Sequence, residues 1–148
     1  MSVSPVFGVR RVGWGEAGIP MRAIRAAVFI DEQNVPVELE WDGLDVQCLH
    51  VVAESATGEA VGTGRLLPDG HIGRMAVLKS WRGRGVGRAL LLELLTAAGE
   101  RGHERVELNA QTRAIKFYAR FGFSVVGDEF MDAGIPHRIM RMELIRRK

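Results

Sequence analysis

The sequence predicts a mixed α/β domain in which helices pack on a mixed sheet. Three observations predict it. Seven short segments of apolar or alternating residues suit strands, three segments of helical spacing fall between them, and no internal repeat, low-complexity tract or Pro/Ser-rich linker divides the 148 residues. Residues 1–148 therefore read as a single domain, a length that can bury one substantial core.

Residues 5–12 alternate weakly and read as an opening strand. In residues 19–31, Ile19, Ala23, Ala26, Ala27 and Ile30 fall near helical spacing, which predicts a helix. Residues 33–45 hold Pro36, Gly43 and many acids, and predict a loop or a short helical turn. Residues 48–54 (CLHVVAE) predict a strand, and a Thr57-Gly58 turn leads into another over 60–67. Pro68-Asp69-Gly70 is a strong turn signal before a strand over 71–78, so strands two to four form an antiparallel meander. The period then changes. Val86, Leu90, Leu91, Leu94, Leu95 and Ala98 recur at three- and four-residue steps, as in an amphipathic helix, and Gly102 lies where a helix commonly stops. Residues 105–109 (RVELN) predict a strand, 112–121 a helix ended by Gly122, 123–127 a strand, and 138–145 (RIMRMELI) a last strand.

Hydrophobic residues at 47% and charged residues at 26% are the balance of a globular chain. One cysteine, Cys48, forbids an intramolecular disulfide and suits a reducing compartment. The first fifteen residues lack the pattern of a signal peptide, and no stretch approaches the roughly 20 apolar residues of a spanning helix. The expectation is a soluble, cytoplasmic protein that uses no membrane. One cysteine and four scattered histidines offer no metal-ligand spacing.

A net charge of +2 does not argue for nucleic acid, and no nucleic-acid partner is expected. The distribution of charge is more informative. Residues 31–59 carry eight acids and no Lys or Arg, whereas residues 70–92 carry Arg74, Lys79, Arg82, Arg84 and Arg88 and no acid. One segment reads as prepared for a cation and the other for an anion, beside the plainer reading of two solvated faces.

The basic segment contains Arg82-Gly83-Arg84-Gly85-Val86-Gly87 directly before a helix. Three glycines at alternate positions let the backbone turn tightly and approach a ligand. A loop so placed aims unpaired N–H groups and the positive end of the helix dipole at one point. Arg82, Arg84 and Arg88 add charge suited to phosphate oxygens, so a diphosphate is the natural guest. The dinucleotide fingerprint fails because Arg88 occupies its third glycine position, and no Gly-Lys-Ser/Thr of a Walker loop follows.

The run Arg82-x-x-Gly85-x-Gly87 resembles the R/Q-x-x-G-x-G/A motif of the GNAT superfamily of N-acyltransferases. Residues 114–123 (AIKFYARFGF) resemble that superfamily's A-x-x-F/L-Y-x-x-x-G-F segment, and the order of strands and helices matches over nearly the whole chain. Residues 28–36 (VFIDEQNVP) and 134–137 (GIPH) are similar to its ElaA-like branch. The resemblance implies a mostly antiparallel central sheet of about six to seven strands flanked by helices. It also implies acetyl-coenzyme A as co-substrate and a small-molecule or peptide amine as acceptor, with a homodimer left open. The backbone of Met75, Ala76 and Val77 would pair with the pantetheine arm. The amides of Arg82, Gly83, Arg84, Gly85, Val86 and Gly87, with Arg88, would cradle the pyrophosphate. The helix bearing Phe117 and Tyr118 would flank the other edge. The superfamily often has Asn seven residues before the Tyr; here that position is Gln111, with Asn109 two residues earlier, so either amide is a candidate contact.

Transfer from a thioester to an amine needs a neutral nucleophile, a polarised carbonyl and a protonated leaving thiol. A lysine-like amine with pKa about 10.4 is neutral only about once in 2,500 at pH 7, a cost near 4.6 kcal/mol, which a base would help meet. By resemblance, a backbone N–H near Val77 polarises the carbonyl and Tyr118, the only tyrosine, is the general acid for the thiolate. For the base, Glu32, Glu40, Asp42, His50 and His137 remain open, His137 because it falls in the branch motif. Arg74 stands near where some relatives carry a glutamate. Glu32 reads equally as a partner for Arg22 or Arg25, His50 as a structural histidine in an apolar strand, and Trp41 as a possible wall of the acceptor pocket. A catalytically silent coenzyme A-binding sensor is the alternative reading.

Overall fold

The computed structural model describes residues 6–144. A seven-stranded sheet runs in the order β1-β2-β3-β4-β5-β7-β6. Its strands are β1 (Phe7–Val12), β2 (Leu49–Ser55), β3 (Ala60–Leu66), β4 (His71–Val77), β5 (Arg105–Gln111), β6 (Ser124–Asp132) and β7 (Ile135–Glu143). Every neighbouring pair is antiparallel except β4 and β5, which are parallel. The parallel pair follows from the connection, since helix α3 (Val86–Glu100) crosses over between the two strands.

The period-two alternation of the strands divides the core between the two faces of the sheet. On one face Val51 and Ala53 of β2 and Val61 and Leu66 of β3 pack against Leu90, Leu91 and Leu94 of α3. On the other, Val52 packs with Met21 of α1 (Trp14–Arg25), and Ala76 packs with Ile24 and Val28. Glycines set how closely α3 approaches. A β-carbon at Gly62 would lie 2.9 Å from Val86 Cγ1 and 3.0 Å from Leu90 Cδ1.

The first helix departs from the expectation. It begins earlier, at Trp14, kinks at Ala17, and passes after Arg25 into a π-helical turn, Ala26–Glu32. Pro20 hides the early start from a reading by periodicity, because proline suits a first helical turn and argues against an interior one. The expected turn in 33–45 contains the short α2 (Val37–Glu40). The expected helix 112–121 is a 3-10 turn, Thr112–Ala114, followed by α4 (Ile115–Ala119).

The last two strands are longer than expected. β6 continues through Gly127 (φ +82°), where the register with β7 shifts, and the hairpin turns at Ala133 and Gly134, both at positive φ. Two consecutive left-handed residues make the tight turn that matches strand twist. Gly127, Gly134 and Pro136 resemble strand breakers in sequence, whereas in the fold they are a bulge, a turn and a residue of β7. Pro5 and Ile145, the outer ends expected for the first and last strands, lie outside the described residues.

Candidate active site

Residues 82–85 join the 3-10 turn Lys79–Trp81 to α3, whose first turn includes residues 86–88. Gly83 and Gly85 hold φ of +76° and +85°, left-handed values that a β-carbon resists. A β-carbon at either would meet nothing within 4 Å, so the outer side of this turn is open. The amides of Trp81 and Arg82 bond back to Leu78 and Lys79, and the Ala89 amide bonds the Gly85 carbonyl to begin the helix. Between them the amides of residues 83–88 have no backbone carbonyl partner among the described residues. Such leftover donors at a helix start form an anion site.

This turn borders a cleft of ≈ 570 Å³ whose other walls include Val77, Trp81, Leu92, Phe117 and Arg120. Arg88 lines it, and the Arg84 guanidinium lies 5.0 Å from the Trp81 ring centre. Arg82 is engaged elsewhere. Its Nε donates to the Val77 carbonyl at 3.0 Å, and its Nη1 and Nη2 donate to the two Glu32 oxygens at 2.6 and 2.8 Å. The bonds from Arg82 hold the Glu32 carboxyl below its ordinary pKa. Glu32 therefore pairs with neither Arg22 nor Arg25.

Next to the cleft the sheet opens. β4 and β5 are paired only at His71–Glu107 and Ile72–Leu108. Beyond these, Met75, Ala76 and Val77 on one side and Asn109 and Gln111 on the other diverge. A bulge helps turn β4: Arg74 has φ +50°, and two residues, Arg74 and Met75, stand opposite Gly64 between the pairs Arg65–Gly73 and Thr63–Ala76. The unpaired inner edge of β4 is a template for an extended group. Edge, amide turn and cleft together suit an anion that carries a long extended arm.

On the far side of the opening lies a second cavity of ≈ 330 Å³. Neighbouring residues of α4 divide between the two spaces, Phe117 lining the cleft and Tyr118 the cavity, as Val77 and Met75 of β4 do. The Tyr118 hydroxyl is 3.9 Å from Met75 Sδ, and burial pushes its pKa up to about 12, so the phenol stays protonated at neutral pH. His137 also lines this cavity. Its Nδ1 lies 2.7 Å from the Ile135 carbonyl; a carbonyl only accepts, so Nδ1 carries the proton in this contact and neutral His137 has a bare Nε2. Gln111 and Asn109 both border the cavity. Gln111 donates to Gln33 Oε1 at 2.8 Å and accepts from Arg113 at 3.0 Å, whereas the Asn109 side chain has no hydrogen bond among the described residues.

Most of the acidic segment is paired internally, although Asp31, Glu38 and Glu59 are exposed. Glu40 and Asp45 are buried and bind Arg25 Nε and Nη1 at 2.6 and 2.7 Å. Asp42 and Asp45 bind Arg65, and Arg74 reaches Glu40 and Asp42. Burial pushes the Glu40 carboxyl above its ordinary value. At Asp42 burial acts in the same direction, but the bonds from Arg65 and the Leu44 amide outweigh it and bring the carboxyl down to about 2. Charge that looks one-sided in sequence is neutralised by arginines from α1, β3 and β4. Trp41 stacks under Arg25 at 4.9 Å rather than lining the cavity. His50 is buried, stacked on Trp14, bonded through Nε2 to the Asp45 carbonyl, and pushed down in pKa by burial, a structural histidine. The sequence reading missed Phe29, Gln33 and Asp132 as cavity walls. Phe29 and Gln33 lie within the stretch 28–36 singled out by resemblance, so the signal was present without a role attached.

A model of the GNAT acetyltransferase domain matches residues 20–144. The uncharacterized N-acetyltransferase YjcF of Bacillus subtilis is 43% identical over 118 residues, which cover 77% of this chain and 84% of that protein. Escherichia coli ElaA superposes with a TM-score of 0.82 at 29% identity, covering 93% of this chain and 100% of that one. An acyl-CoA N-acyltransferase from Pseudomonas aeruginosa superposes with a TM-score of 0.82 at 28% identity, covering 93% and 99%. An opened β4–β5 pair and an amide-lined turn on this fold agree with those matches: the chain belongs to the GNAT family of acetyltransferases.

Proposed function

We propose that this acetyltransferase moves the acetyl group of acetyl-coenzyme A to an amine by direct attack, with Tyr118 as general acid and His137 as base through water. Acetyl-coenzyme A supplies the activated acyl group as a thioester. The amides of Arg82, Gly83, Arg84, Gly85, Val86 and Gly87, with Arg88, hold its diphosphate, and the free edge at Met75, Ala76 and Val77 holds the pantetheine arm. The Val77 backbone N–H polarises the carbonyl. Asn109, whose amide is uncommitted, is the better candidate of the two amides for a ligand contact, since Gln111 is tied to Gln33 and Arg113.

Tyr118 holds its proton at Oη and releases it to the leaving sulfur; a phenol raised to about 12 stays fully loaded for that step. His137 receives a proton from the intervening water at Nε2, the nitrogen left bare by the Ile135 contact, as that water takes the amine proton. Glu32 is a positioning residue that holds Arg82, and so the start of the amide turn. The observation carrying the reading is that Phe117 and Tyr118 face the two spaces on either side of the opened sheet.

The test is thiol release from acetyl-coenzyme A across a panel of amines, run beside a thermal shift with coenzyme A. Release with at least one amine is expected. Stabilisation by coenzyme A without release on any amine would instead favour a silent coenzyme A-binding sensor.

A further inference from the structure

The cavity assigned to the acceptor carries an arginine, Arg74, beside the carboxylates of Glu40 and Asp132. Arg74 stands at the β4 bulge, one residue before Met75, whose sulfur lies 3.9 Å from the Tyr118 hydroxyl. Its side chain is 26% exposed and lines the cavity. One end of its guanidinium is anchored: Nη2 donates to the Leu39 and Glu40 carbonyls, each at 3.2 Å, and to Asp42 at 3.3 Å. Its Nε is buried without a hydrogen bond, lying 3.4 Å from Glu40 Oε2. Its Nη1 has no hydrogen bond among the described residues. An anchored guanidinium with an unused nitrogen is a prearranged donor to an anionic oxygen.

Charge balance narrows the class of acceptor. In and behind the cavity wall three guanidinium groups, Arg25, Arg65 and Arg74, face three carboxylates, Glu40, Asp42 and Asp45, of which Arg65, Arg74 and Glu40 line the cavity itself. A polyamine or lysine chain would bring unmatched positive charge beside Arg74, and a phosphate dianion would bring unmatched negative charge; either is costly where water is scarce. An amine that carries one carboxylate adds no net charge as it enters. At the rim the exposed Asp132 has no ion pair among the described residues and suits the ammonium end. A cavity of ≈ 330 Å³ is at the small end for a ligand site, the size of one amino acid rather than a folded chain's surface loop.

We infer that the acceptor is a small amino acid-like zwitterion whose carboxylate binds Arg74 Nη1. This rests on the acetyl-transfer reading above.

The experiment measures kcat/KM for thiol release with α-amino acids, each beside its primary amide and its decarboxylated amine. The amide's amino group is less basic than that of the free acid, so more of it is neutral. A preference for the acid therefore reports recognition rather than reactivity. Acids are expected to exceed their amides by about tenfold or more, chiefly in KM, and Arg74→Gln should reduce the ratio below about threefold. Equal or better turnover of the amides by the native enzyme overturns the inference and leaves acetyl transfer standing. A preference that survives in folded Arg74→Gln also overturns it. No release with any of the compounds or with the wider amine panel overturns both readings. Should Arg74→Gln fail to fold, Arg74→Lys is the second variant, and the native enzyme's acid-to-amide ratio decides without either.

Discussion

Glu32 and Arg82, fifty positions apart, form a two-pronged ion pair with contacts of 2.6 and 2.8 Å, and the same guanidinium holds the Val77 carbonyl at 3.0 Å. The end of the π-helical turn is thereby tied both to the last residue of β4 and to the first residue of the amide turn. The pair is partly exposed, at 40% and 34%, so its contribution to global stability is small, about 0.2–1 kcal/mol. Its effect lies in holding the turn. Arg82→Ala, which loses both contacts, is expected to raise the Kd for coenzyme A about fivefold, and Glu32→Gln less, by titration calorimetry.

Tyr118→Phe removes the phenolic proton and keeps the ring packed edge-on to Phe117 and Phe123. Turnover is expected to fall at least about tenfold with little change in coenzyme A affinity. Unchanged turnover would remove Tyr118 from the reaction.

His137→Gln is expected to lower kcat/KM about 10²-fold at pH 7. The deficit should narrow as pH rises toward the acceptor's own pKa, since the amine then deprotonates without help. A pH–rate profile of both proteins checks this, and a deficit constant with pH would point to packing against Phe130 instead.

Gly62→Ala places a β-carbon against Val86 and Leu90 at 2.9 and 3.0 Å. Stability should drop by about 1–3 kcal/mol, and coenzyme A binding should weaken because Val86 begins the helix that closes the amide turn. Gly99→Ala, within α3 and with nothing in 4 Å of its new carbon, is the contrast, expected to stabilise by about 0.5 kcal/mol in the same denaturant titration.

Asp42 ties stability to acid. Its carboxyl is about 2 in the fold and near 3.8 when free, so its stabilisation is full above about pH 4 and is lost as pH falls toward 2. Asp42→Asn is expected to be less stable than the native protein by about 1–2 kcal/mol at pH 7. The two unfolding free energies should converge near pH 2.

The element order, the crossover helix α3 and the glycine turn before it were legible in sequence because each is a local property. Hydrophobic spacing sets a helix or strand over a few residues, and Gly83 and Gly85 advertise the left-handed backbone that they adopt. Tyr118 was legible by its motif. The extents of β6 and β7 were not, because a bulge at Gly127 and a two-residue turn at Ala133-Gly134 read as strand ends until pairing is known.

Charge was the least legible property. Residues 31–59 read as an acidic face, yet Glu32, Glu40, Asp42, Asp45 and Glu54 each meet an arginine from another element. Composition along a chain records which charges are present, whereas Coulomb energy depends on distances that only folding creates. Thus the sequence alone determined the family's loop, the motif that carries Tyr118 and the order of strands. Tertiary structure decided where β4 and β5 part, which carboxylates the arginines neutralise, and that Arg74 joins Glu40 and Asp132 in the wall of the second cavity.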